Sequence, residues 1–331
     1  MSSIGCVVIG RNEQPRLERC LSSVLRDRTP VLYVDSASSD DSVALAARLG
    51  VDVLALDAAE RLSAARARNA GFFKLLERSP DVDYVQFLDG DSELCPGWLD
   101  AASRALDAAP NVAAVCGRLH ERDAGASVYN RLCELEWASA TGEVEWTGGI
   151  VMVRARAFVR AQGFDATLIA GEEPDLCTRL RGAGWSIVCI DADMALHDAA
   201  MAHFSQWWQR NVRAGYAYAE AKNRRPEQPA MDAARQVRSI AFWGLALPGA
   251  AVAWALPTLG ASLALPLGGY AALCLRVYRR KRSQGLSRHD AALYAAFCAL
   301  GKLPQAQGLA RYERLRLSGR SSGLIEHKAA R

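Results

Sequence analysis

The chain reads as an α/β protein, with a mainly parallel sheet flanked by helices and a hydrophobic helical segment towards its C-terminal side. Three observations predict this. Over the first 200 residues, short β-branched runs alternate with longer helix-patterned stretches, the order that lays covering helices on a parallel sheet. The polar residues that stand out fall directly after the strand-like runs, where ligands of such sheets bind. Ser239 to Leu275 contains no charged residue at all.

The elements follow in order. Ile4 to Ile9 (IGCVVI) is a buried strand, followed by Gly10-Arg11-Asn12-Glu13, and Leu17 to Leu25 has helical spacing. Val31 to Val34 is a second strand ending in Asp35; a Ser/Asp-rich loop then leads to a helix from Ser42 to Leu49. Val51 to Leu56 is a third strand, and a helix from Ala64 to Glu77 precedes the strand Tyr84 to Leu88. Farther on, Ile150 to Val153 is an apolar run and Ser186 to Ile190 a strand. Ile240 to Leu256 and Leu259 to Leu275 are two apolar pieces of 17 residues separated at Pro257, the short end of what a tilted spanning helix needs. Basic flanks on both sides, Arg235 and Arg238 before and Arg276 with Arg279 to Arg282 after, suit a hairpin with both ends inside. The alternative is a pair of buried or interfacial helices. Ala291 to Leu300 is a further apolar helix, too short to span alone, and the tail after Ser318 reads as flexible.

Composition narrows the class. The formal net charge of 331 residues is +4, with local Arg clusters. This suits a membrane surface or a phosphate-bearing substrate better than duplex DNA, and no zinc-finger spacing or basic heptad region is present. Nine scattered cysteines without a C-x-x-C pair argue against structural zinc and a disulfide framework, and for reduced thiols in a cytoplasm. Met1-Ser2-Ser3 leads straight into a short apolar run with no basic region, so no export signal is expected.

Tyr84 to Asp91 (YVQFLDGD) is the strongest local signal. A strand delivers Asp89 and Asp91 into a turn opened by Gly90, and hard cations such as Mn2+ or Mg2+ take oxygen ligands while leaving room for substrate phosphates. The same residues can equally form a solvated turn. Taken with it, Val7 to Glu13 (VVIGRNE), Val34 to Asp40 (VDSASSD), Arg68-Asn69-Ala70-Gly71 and Phe87 to Asp91 occur in one order at familiar spacings. Together they resemble the inverting family 2 glycosyltransferases of GT-A fold, over roughly residues 4 to 215.

The resemblance implies roles residue by residue. Ile9, Arg11, Asn12 and Glu13 would cradle the nucleotide, Asp35 would contact its base, and Arg68 would reach the base or the diphosphate. Asp89 and Gly90 would border the donor, with Asp89, Asp91 and His197 as metal ligands. Gly148 and Gly149 would lie at the donor sugar and acceptor, where bare backbone allows close approach. Gly171-Glu172-Glu173-Pro174-Asp175-Leu176 looks like the family's Gly-Glu-Asp-x-Asp-Leu segment, with Glu173 at the catalytic-base position in place of the commoner Asp; Glu172 and Asp175 are the other candidates for the base. Each has a structural alternative: Asp35 as a turn cap, Asn12 as a helix cap, Arg68 as a solvated helix residue, His197 as a structural histidine, and the Glu pair stabilising a helix N-terminus with Pro174 in its first turn.

Gln206-Trp207-Trp208-Gln209-Arg210 departs from the Gln-x-x-Arg-Trp of processive members, which favours transfer of one sugar. Trp207, Trp208 and Arg210 are placed at the acceptor or at a membrane interface. The expectation is a catalytic domain over 1–235, a membrane-associated helical region over 236–317 with the hairpin at 240–275, and a tail over 318–331. It would use a nucleotide-diphosphate sugar, with uridine donors the commonest by analogy. The acceptor would be a lipid-linked saccharide for surface polysaccharide, met at the cytoplasmic face of the plasma membrane. A dehydrogenase would need G-x-G-x-x-G after the first strand, and this loop reads GRNEQP. A sugar nucleotidyltransferase would need a glycine-rich first loop, and a non-catalytic relative would be expected to lack one of the carboxylates.

Overall fold

The structure, a computed structural model, describes residues 2–14, 16–60, 62–137, 141–168, 170–224 and 232–318. The expected tail therefore lies outside the described residues except for Ser318. The elements in chain order begin with β1 (Ile4–Gly10), α1 (Arg16–Leu25), β2 (Val31–Asp35), α2 (Ser42–Arg48), β3 (Asp52–Ala55), α3 (Ala64–Arg78), β4 (Tyr84–Asp89) and β5 (Ser92–Leu94). They continue with α4 (Trp98–Ala108), β6 (Val112–Glu121), α5 (Val128–Trp137), β7 (Gly142–Glu143), β8 (Val151–Arg154), α6 (Ala155–Arg160), α7 (Glu172–Gly182) and β9 (Ser186–His197). Helices α8 (Phe204–Arg224), α9 (Ala233–Ala241), α10 (Leu247–Ala253), α11 (Ala264–Ser283), α12 (Arg288–Leu300) and α13 (Lys302–Leu317) complete the chain.

Two compact units result: one of 1–126 with 136–200, the other of 127–135 with 201–331. The boundary thus falls near Ala200 rather than near 235, because α8 belongs with the helices that follow it. In the first unit the described strands form one sheet in the order β3-β2-β1-β4-β8-β6-β9-β5, with β7 against β9. Its first half, β3 to β4, is parallel as expected. Beyond β4 the pairing becomes mixed, since β8 runs antiparallel to both β4 and β6. Both faces of β1 are buried, which is why its sequence is a continuous apolar run. Cys6 and Val8 enter the core layer shared with Leu17, Leu21 and Trp98. Val7 and Ile9 enter the layer shared with Phe72, Phe87 and Phe158.

The stretch from 92 to 149, where sequence reading assigned no element, holds β5, α4, β6, α5 and β7. β5 and β7 are too short to show a pattern, and β6 (VAAVCGRLHE) carries just two β-branched residues in ten. β9 also runs past its expected end at Ile190 to His197. Asp191 and Asp193 break the apolar run there, but both pair with Arg118 of the neighbouring β6.

The second unit is helical. α8 and α13 approach at mutual glycines: a Cβ on Gly215 would strike the Gln305 carbonyl, and one on Gly308 the Val212 carbonyl. The expected apolar pair appears with different bounds. α9 continues through a π-helical turn (Phe242–Ala246) into α10, the chain turns over 254–260, and α11 extends into the basic cluster. Among the described residues one helix, Ala261–Ser283, is long and apolar enough to cross a membrane by length and composition.

Candidate active site

The site is built at the C-terminal ends of β1 and β4 and around α3 and α7. α3 starts at Ser63, whose side chain accepts from Arg66 N. Gly71 lets this helix lie hard against the sheet, since a Cβ there would meet the Val7 and Val34 side chains. One turn earlier, Arg68 is thereby carried, 3% exposed, to the end of β4. Its Nη2 donates to Asp89 Oδ1 at 2.9 Å, and its Nη1 donates to Glu172 Oε1 at 3.2 Å and Glu173 Oε1 at 3.0 Å. The guanidinium also lies over the Phe164 ring, 5.5 Å from its centroid. Arg68 is thus the hub of a buried carboxylate cluster and not a solvated helix residue. A Cβ on Gly149 would strike its guanidinium and come within 3.1 Å of Glu173 Oε1, so Gly149 packs its bare backbone on the ion pair, while Gly148 is exposed.

The next residue of the same motif has a separate task. Asn69 clamps the backbone of Phe164, donating from Nδ2 to its carbonyl at 2.8 Å and accepting from its N–H at 2.9 Å. Sequence reading gave Asn69 no role, although its place in Arg68-Asn69-Ala70-Gly71 was the available signal.

α7 begins after Gly171, which adopts φ 87°, a left-handed conformation suited to glycine. Glu172, Glu173 and Pro174 form its first turn, where proline's missing N–H costs nothing. The three acidic residues then part company. Asp175 accepts from Arg179 Nε at 2.9 Å, and Arg179 also donates to the Gly163 and Ala161 carbonyls; this carboxylate is committed to fixing the helix. Glu172 is 4% exposed. The Glu173 side chain is 18% exposed, and burial together with the neighbouring Glu172 pushes its pKa up to about 7 against the opposing pull of Arg68. Of the three, Glu173 has the ionisation and exposure of a group that exchanges protons near neutrality.

The three expected metal ligands divide. Asp89 faces Arg68. Asp91, 5% exposed, places Oδ2 3.4 Å from His197 Nε2. Strand register explains this pairing: Ser92 of β5 opposes His197 of β9, and Glu121 of β6 also opposes it. Glu121 Oε2 therefore lies 3.6 Å from His197 Nδ1, and both its oxygens accept from Ala199 N. Trp137 packs edge-on to the imidazole with ring centroids 4.7 Å apart. Among the described residues no group of three or more His, Cys, Asp or Glu closes on a metal. Asp91 and His197 do fit a divalent cation that draws its remaining ligands from water and substrate phosphate, and Glu121 is the carboxylate nearest the other ring nitrogen. Glu121 and Trp137 were missed in the sequence; nothing in their own neighbourhoods marks them.

The first loop is held by the loop that follows β2. Asn12, at φ 55°, accepts from Ser39 N at 2.7 Å, and its own N–H donates to the Ser38 hydroxyl at 2.9 Å. Asp35, 2% exposed, accepts from Tyr33 OH at 2.9 Å, Ser38 N at 2.8 Å and the Ser38 hydroxyl at 2.5 Å, the cap role considered for it. Glu13 is buried and pairs with Arg16 at 2.6 Å. It also explains Gly90, where a Cβ would meet Glu13 Cγ at 3.2 Å and the Ile9 carbonyl at 3.3 Å. Ile9 is buried in the core layer beneath, and Arg11 is exposed.

Trp207, Trp208 and Arg210 belong to α8 of the second unit. Trp207 is 2% exposed and packs on Phe204 and Phe297, so it is a core residue of that unit rather than a surface anchor. Trp208 is half-buried with Nε1 donating to Gln307 at 2.9 Å, and Arg210 is half-buried.

Residues 6–158 match the family model described as glycosyl transferase family 2. This segment is a family 2 glycosyltransferase domain. A pre-mycofactocin glycosyltransferase of Mycobacterium tuberculosis is 27% identical over 293 residues, 83% of this chain and 56% of its own length. A TPR repeat-containing protein of Synechococcus elongatus is 31% identical over 136 residues, 41% of this chain and 32% of its own length. The chain thus spans about half or less of the curated relatives it matches. A mannosyltransferase from Pyrobaculum calidifontis, solved with GDP-mannose and Mn2+, superposes with a TM-score of 0.56 at 20% identity, covering 93% of this chain and 86% of that one. The fold is GT-A.

Proposed function

We propose that the chain transfers one sugar, with inversion, from a nucleotide-diphosphate sugar to a lipid-linked saccharide acceptor at the cytoplasmic face of a membrane. A uridine diphosphate sugar is the first donor to test. The observation that carries this reading is Glu173: on the partly exposed edge of a buried Arg68 hub, it is the one acidic residue of α7 free to exchange a proton. Glu173 takes the proton of the acceptor hydroxyl as that oxygen attacks the sugar carbon from the face opposite the diphosphate. Arg68 holds Glu173 and Asp89 in fixed relation, and Gly149 lets the backbone pack directly on this ion cluster. Asp91 and His197 would hold Mn2+ or Mg2+, and Glu121 would orient the imidazole. Such a cation, when bound, stabilises charge on the departing diphosphate.

The test is calorimetry with uridine, guanosine and thymidine diphosphates, with and without Mn2+, alongside donor-turnover assays. One nucleotide is expected to bind only with metal, Asp91→Ala to abolish binding, and Glu173→Gln to bind normally without turnover. Absence of nucleotide binding under every metal condition refutes the donor site; full turnover by Glu173→Gln refutes the base.

A further inference from the structure

The exposed apolar surface of the second unit is concentrated in one place. Val252, Trp254, Leu256, Leu259, Leu265 and Leu267 are 61 to 97% exposed, and they lie at the end of α10, in the turn over 254–260 and at the start of α11. Soluble monomers rarely present such a contiguous patch without a partner. The turn is also closed on itself. The N–H groups of Trp254, Ala255, Thr258, Leu259, Gly260 and Ala261 all donate to carbonyls within residues 250–258. Its hydroxyls are spent in the same way, Thr258 on the Trp254 carbonyl at 2.6 Å and Ser262 on the Ala251 carbonyl at 2.7 Å. A segment facing water has no need of this internal pairing, whereas hydrocarbon demands it.

Charge selects the occupant. From Ala233 to His289 there is no Asp or Glu, while Arg276, Arg279, Arg280, Lys281 and Arg282 follow the apolar stretch directly. Four of these five are exposed, which suits anionic headgroups. Length selects the depth. Ala261 to Leu275 is 15 residues, roughly 22 Å at 1.5 Å per residue, against about 30 Å of hydrocarbon. On the other arm Ile240 and Gly244 are buried against α13, so the part left for lipid, Leu245 to Ala253, is shorter still. Ala261–Ser283 reaches 23 residues only by including the basic turn.

We propose that residues 245–275 enter one leaflet of an anionic membrane as a monotopic hairpin, with the 254–260 turn near the bilayer centre and Arg276 to Arg282 at the headgroups. This rests on the membrane part of the reading above and not on its chemistry. The full chain is tested by flotation with vesicles of phosphatidylglycerol and phosphatidylcholine, and of phosphatidylcholine alone. Binding is expected to the anionic vesicles, weakened about a hundredfold or more by Leu256→Asp with Leu259→Asp, while nucleotide binding is unchanged. Depth is read from quenching by lipids brominated at shallow or deep positions, taking the difference between the chain and its Trp254→Phe variant. Strongest quenching by the deep bromines is expected. Quenching by shallow bromines alone puts the tip at an interface, as a spanning hairpin or a surface helix would, and overturns the monotopic reading. No flotation, or self-association that buries the patch without lipid, overturns membrane docking altogether. Lost nucleotide binding with flotation intact overturns the catalytic reading and leaves this one standing.

Discussion

Arg68→Met removes the one cation among Asp89, Glu172 and Glu173 while keeping the stem that packs near Phe164. Arg68 is 3% exposed and touches all three carboxylates within 3.2 Å. Removing one partner of a buried ion cluster leaves uncompensated charge and costs about 3–5 kcal/mol. At about 2–4 °C per kcal/mol for a chain of this size, the lower figure corresponds to a fall in unfolding midpoint of about 6–12 °C. The pH dependence identifies the cause. Without the guanidinium, burial and the neighbouring Glu172 act unopposed and hold the Glu173 carboxyl further above its unfolded value. Groups raised on folding contribute stability at pH below the unfolded value and lose it as pH rises through the folded one. The gap between variant and parent is therefore largest at pH 8 and narrows towards pH 5. Thermal unfolding followed by circular dichroism at both pH values measures it. An equal gap at the two pH values would show that lost packing, not unpaired charge, is responsible; no gap at pH 8 would refute the hub.

The Glu173 carboxyl, raised to about 7 in the free protein, is protonated below that pH and cannot accept a proton. kcat/KM should then fall about tenfold per unit below pH 7, and a rate flat from pH 5.5 to 8 would exclude Glu173 as the base. Glu121→Gln, which leaves His197 in place but weakens its orienting carboxylate, should reduce Mn2+ affinity of the nucleotide complex by about 10- to 100-fold; a calorimetric titration showing no change would make Glu121 purely structural. Gly71→Ala pushes a methyl into Val7 and Val34 and should cost about 1–3 kcal/mol. An unchanged midpoint would mean α3 does not press on the sheet.

What the sequence determined by itself was set by local chemistry. The apolar runs of β1, β2 and β4 are long enough to declare themselves strands, and the carboxylates following β4 mark the ligand end of the sheet whatever the rest of the chain does. Gly171 before two glutamates and a proline is legible as a helix start, because a left-handed glycine and a first-turn proline are backbone requirements. Tertiary structure decided how side chains were shared. Asp175 went to Arg179 while Glu173 went to Arg68; Asp89 also went to Arg68 and parted from Asp91. Glu121 reached His197 only through the register of β6 on β9, across 76 residues of sequence. Trp207 was buried by Phe297 from another helix. Strand and helix signals travel within a few residues of chain, whereas ion pairs and register depend on which distant segments pack together, and no spacing along the chain encodes that.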